Sequence, residues 1–96
     1  MKEKKSIKEM EEAVFQIDMN EGFCEEGNLA DPTIKQIVPN IVPIIRAVIE
    51  KGEGYFVVND KHTKDSVELL RYLEHCMGDK ESRTIKELAV YEEYAD

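Results

Sequence analysis

Hydrophobic and polar positions divide the chain into a few blocks. Val14-Phe15-Gln16-Ile17 is a short apolar run ending at Asp18. Val, Phe and Ile favour a pleated, buried surface, so a strand is predicted over residues 13–17. A polar loop follows to about residue 33, punctuated by Gly22, Gly27 and Pro32. Asp31-Pro32 can open a helical turn, with Asp31 as cap and Pro32 in the first position. Ile41, Ile44, Ile45, Val48 and Ile49 then fall on the i, i+3, i+4, i+7, i+8 spacing of one helix face. The predicted helix starts at the cap Asn40, tolerates Pro43 in its first turn, and stops at Gly52 after Lys51. Tyr55-Phe56-Val57-Val58-Asn59 reads as a second strand. It is apolar on both faces and so expected to be buried on both.

Strand, helix and strand at this length predict a right-handed βαβ unit with parallel strands. The expected fold class is α/β, a three-layer αβα arrangement around a parallel sheet. Beyond Asp60 the pattern is more polar. A loop over 60–63, a short helix from Asp65-Ser66 carrying Val67, Leu69, Leu70 and Leu73, and a loop over 74–79 are expected. A helix over 80–88 and an exposed acidic tail over 91–96 complete the reading. Residues 1–12 read as a charge-dense, flexible lead-in.

Composition narrows the function classes. Ninety-six residues make at most one small domain. A hydrophobic content of 42% beside 35% charged residues fits a globular chain. The net charge of −8 argues against nucleic acid, whose phosphates repel such a surface. No apolar run approaches the roughly 18 residues of a membrane span, and no apolar segment follows the basic start as in a secretory signal. Cys24 and Cys76 fit no disulfide framework, so reduced thiols in the cytoplasm are expected.

Three places carry candidate chemistry. Asp18 stands just past a buried strand, where open α/β sheets hold ligands, although a plain turn cap fits the same position. Asp60 follows the second strand in the same way, so parallel neighbours would bring both carboxylates to one edge of the sheet. Asp60, His62 and His75 form a mixed oxygen and imidazole set suited to zinc, manganese or iron. Solvated surface groups explain the same three residues.

The wording of the first stretch goes further. Ile17-Asp18-Met19-Asn20-Glu21-Gly22-Phe23, then Glu26-Gly27 and Asn28-Leu29-Ala30, resembles the N-terminal signature of the nicotinamidase and isochorismatase-like cysteine hydrolases. The resemblance implies an isochorismatase-like hydrolase fold, with the catalytic Asp of an Asp-Lys-Cys triad at Asp18 and a substrate-pocket aromatic at Phe23. The run Asp60-Lys61-His62-Thr63-Lys64-Asp65-Ser66-Val67-Glu68, followed by His75-Cys76, resembles the nicotinamidase branch. By that resemblance Asp60, His62 and His75 bind a divalent metal, zinc first, beside the pocket, and the metal holds the ring nitrogen of nicotinamide. Glu68 is a further ligand candidate and equally a plain surface glutamate. The segment before His75 departs from the family, with Tyr72-Leu73-Glu74 where relatives carry an aromatic residue and prolines. Gly78-Asp79 stands where they carry Gly-Thr.

The resemblance runs from about residue 13 onward and matches the N-terminal half of a family about twice as long. The triad Lys and nucleophilic Cys belong to the other half, and neither Cys24 nor Cys76 takes the nucleophile's place. The expected function is therefore the N-terminal portion of a nicotinamidase-like amidohydrolase, converting nicotinamide to nicotinate and ammonia, and inactive alone. Its partners would be a small amide substrate and either a complementing C-terminal half or further copies of the chain. A non-catalytic metal- or ligand-binding module that pairs with another subunit is the alternative from a different class. Part of a metal-free isochorismatase-like hydrolase is a third reading.

Overall fold

A computed structural model describes residues 3–61 and 75–96. Strand β1 (Ala13–Ile17) and strand β2 (Gly54–Val58) pair in parallel, with Ala13 opposite Gly54 and Ile17 opposite Val58. Between them runs helix α2 (Val38–Lys51), preceded by the short helix α1 (Glu21–Cys24) and a 3-10 turn over Pro32–Ile37. The expected strand–helix–strand unit is present. Gly52 closes α2 with a left-handed φ of 71° and donates its N–H to Ile49 O at 3.1 Å. Asp31 caps the 3-10 turn by accepting from Thr33 N, with Pro32 in its first position.

Several expectations are corrected. The helix begins at Val38, not after Asn40, because the turn from Asp31 runs straight into it and Ile37 already has helical backbone angles. Asn40 is internal, and Pro43 sits in the second turn. Strand β2 is buried on one face only. Tyr55 is fully buried, whereas Val58 is 49% exposed, and on the same face Phe15 and Ile17 are about 60% exposed. Among the described residues only the α2 side of the sheet is covered. The helix expected over 80–88 is two short helices, α3 (Gly78–Ser82) and α4 (Lys86–Ala89). Thr84 interrupts them by pairing with Asn20 in an antiparallel bridge. The tail is not simply exposed. Tyr91, Tyr94 and Ala95 pack on the core, and Asp96 exchanges hydrogen bonds with the Tyr55 backbone. The helix expected from Asp65 lies outside the described residues.

The core joins Ile45, Val48 and Ile49 of α2 to Tyr55, Met19, Cys24, Ile85 and Leu88. Burial of such side chains contributes about 1.5–3 kcal/mol each. Polar groups hold the periphery. Glu53, 2% exposed, accepts from the backbone N–H of Glu11 and Glu12 at 2.8 and 3.2 Å and pairs with Lys5. Lys4 Nζ bonds Glu53 O at 2.9 Å and Asp96 Oδ2 at 2.8 Å, so the start and end of the described chain meet beside β2. Among the described residues, no helix is long and apolar enough to cross a membrane.

Candidate active site

The two parallel strands end side by side, and the groups of interest follow them. Asp18 N donates to Val58 O at 2.8 Å, extending the ladder one residue past β1. The Asp18 backbone then turns left-handed, with φ of 57°. Aspartate tolerates this better than most residues, at a cost on the order of 1 kcal/mol. The turn aims the carboxylate across the sheet edge, where Oδ1 accepts from Asp60 N at 2.9 Å. Asp18 and Asp60 therefore share one edge, as parallel strands require.

His75 approaches from the far side of the chain. It is 2% exposed, with Nε2 at 3.9 Å from Asp60 Oδ2. The Phe23 ring lies 5.7 Å from the imidazole, tilted by 52°. Asp18, Phe23, Asp60 and His75 are thus brought together from four segments. His62 and Glu68 lie outside the described residues. His75 and Asp60 are donors of the types a divalent metal takes, and their nearest polar atoms stand 3.9 Å apart. Among the described residues no group of three or more such donors is assembled.

Two residues of the first stretch to which the sequence assigned no role in the site organise it. Asn20 is fully buried. Its Oδ1 accepts from Phe23 N at 3.1 Å and from the Cys76 thiol at 3.6 Å, and its Nδ2 donates to Asp60 O at 3.4 Å. One carboxamide thereby joins the α1 loop, the end of β2 and the His75-Cys76 segment. The signal was an ordinary one, an Asn ahead of a short helix, which is the N-cap preference. Gly22 is the second. A Cβ there would meet Cys76 Sγ at 2.8 Å and Cys76 Cα and Glu81 O at 3.0 Å, so only glycine allows this approach.

Cys76 has a left-handed φ of 50° and is fully buried. Asp18 and Cys76 are the non-glycine residues with positive φ among the described residues, and both belong to this cluster. Burial, with a smaller contribution from nearby Asp60 and Asp18, pushes the Cys76 thiol up to about 11 despite the Asn20 hydrogen bond. Burial also raises the Cys24 thiol, with Glu25 adding to it. Burial disfavours the thiolate of both, which suits packing and not attack.

No family model matches the chain, and no curated protein does. Among solved structures, the crystal structure of N-carbamoylsarcosine amidase from Thermoplasma acidophilum is similar, with a TM-score of 0.70 and 31% sequence identity. The similarity covers 79% of this chain and 44% of that one. The fold is that of a fragment of an isochorismatase-like hydrolase. The chain thus spans less than half of the amidase it matches.

Proposed function

We propose that this chain supplies the aspartate and metal-binding part of a nicotinamidase-like amidohydrolase. The supporting observation is the meeting of Asp18, Asp60 and His75 at the carboxyl ends of two parallel strands. Similarity to an amidase favours hydrolysis of an amide C–N bond. In this reading Asp18 takes the proton of a nucleophilic thiol and Phe23 lines the pocket. Asp60 and His75, with His62, hold a divalent ion, zinc first, with manganese or iron also suited to the set. Such an ion supplies a Lewis acid and an anchor for a ring nitrogen. In this reading neither buried thiol, Cys24 or Cys76, is the nucleophile, and the attacking thiol comes from elsewhere.

Two measurements on the pure chain test this. Zinc titration followed by calorimetry should show one ion per chain, with affinity falling at least tenfold in His75→Ala. Incubation with nicotinamide and zinc should release no ammonia. Zinc-dependent ammonia release abolished by Asp18→Asn would overturn the claim of inactivity, and absence of zinc binding would remove the metal. Burial of both thiols equally favours a second reading, a non-catalytic module that binds the metal or an amide and pairs with a catalytic subunit.

A further inference from the structure

Both main-chain polar groups of Asp60 are held by side chains that follow β1. Its N–H donates to Asp18 Oδ1 at 2.9 Å, and its C=O accepts from Asn20 Nδ2 at 3.4 Å. The other end of the Asn20 carboxamide grips two further segments. Oδ1 accepts from Phe23 N at 3.1 Å and from the Cys76 thiol at 3.6 Å. Cys76 adjoins His75 and has the left-handed φ of 50°, so the turn that carries the imidazole into the cluster is fastened at Asn20. Asn20 is 0% exposed. A donor or acceptor left unpaired at that depth is costly, so both ends of the amide are committed to these partners. Asn suits the place because one short, planar group carries an acceptor and a donor.

We propose that Asn20 is a positioning residue that sets the separation of Asp60 and His75, and through it the affinity of the pair for a divalent cation. The proposal deepens, and rests on, the reading of Asp60 and His75 as metal donors. Asp60 Oδ2 and His75 Nε2 stand 3.9 Å apart. In a loaded site both groups would bind the cation, so their spacing has to be fixed from behind, through the backbone. Asn20 acts there on both donors, directly on the Asp60 carbonyl and one residue along the chain from His75. Groups that orient a ligand without touching the metal typically change affinity 10–100-fold when removed. The same Oδ1 holds Phe23 N, so the ring beside His75 is kept in register with the donors. Capping alone is the plainer account, since Asn20 is the N-cap of α1. It explains the Phe23 bond but neither the bond to Asp60 nor the bond from Cys76.

Cobalt(II) is the probe, because its titration gives an affinity and its visible bands report the ligand geometry. Asn20→Ser separates the two accounts. Serine caps a helix about as well as asparagine, but its hydroxyl has no second polar atom to reach Asp60 O. The variant should keep the wild-type circular dichroism, bind cobalt(II) at least tenfold more weakly and shift the visible bands. Asn20→Leu, similar in shape and without a polar atom, should lose at least as much, and where either variant fails to fold the other decides. Ile45→Ala, a destabilising core change in α2 that touches none of these hydrogen bonds, should leave affinity and bands unchanged. Wild-type affinity and spectrum in Asn20→Ser overturn the proposal and leave Asn20 a cap. So does an Ile45→Ala loss as large as that of Asn20→Ser, which would tie affinity to overall stability. A wild-type chain that takes up no cobalt(II) removes the metal reading and this proposal together. Binding that is indifferent to Asn20 removes the proposal alone.

Discussion

Glu53 shows how much one side chain can organise. Its carboxylate sits 2% exposed between Lys5 and the N–H groups of Glu11 and Glu12. The Lys5 hydrogen bond is the main cause that holds its pKa near 2 in place of 4.5, helped by the two backbone donors. A carboxylate lowered on folding stabilises the fold fully above its unfolded value and loses that contribution as pH falls through its folded one. Melting temperatures of the wild type and Glu53→Gln should therefore differ most above pH 4.5. The gap should shrink between about 4.5 and about 2 and close below that. A gap independent of pH would mean that shape, not charge, anchors the first residues. The residue pattern around Glu53 gave no hint of this, because exposed glutamate is the ordinary case and its donors lie about forty residues away.

At the scale of elements, α2 was legible and α1 was not. The isoleucine and valine spacing places Ile45, Val48 and Ile49 against the core, and all three are buried. Helix α1 has four residues, too few for periodicity to show, and depends on tertiary contact. Gly22 brings it against Cys76 and Glu81. Gly22→Ala should lower stability by about 1–3 kcal/mol, since backbone as well as a thiol would have to move. Chemical denaturation read by circular dichroism checks this. Adding Cys76→Ala removes only the Sγ clash, so Cys76 Cα and Glu81 O should keep most of the loss in the double variant. Full recovery in that variant would show that the thiol alone sets the spacing.

At the scale of the whole molecule, one side of the sheet is covered among the described residues. Phe15, Ile17 and Val58 stand open on the other face, where Phe15 stacks on Phe56 at 4.8 Å between centroids. Exposed contiguous apolar surface marks a place of contact or self-association. Phe15→Lys should lower binding of a hydrophobic dye and reduce aggregation, while costing about 1 kcal/mol for the lost ring pair. Thermal melts beside dye fluorescence test both halves of the expectation. Unchanged dye binding would show that this face is not what the dye senses.

The local chemistry of the chain decided the βαβ unit, the end of the first strand before Asp18, and the stop at Gly52. Each follows from residues within a few positions of one another, through side-chain size, period and backbone preference. Local patterning also made Asp60 and His75 candidates, though not their 3.9 Å approach. Tertiary structure alone decided the rest. The Asn20 bridge joins groups up to 56 positions apart, and the break at Thr84 comes from pairing with Asn20 across the chain. The tail docks because Tyr55 offers backbone groups to Asp96. The open second face is the clearest case. An apolar strand predicts burial on both sides, but burial needs a covering layer, and among the described residues only one side has it.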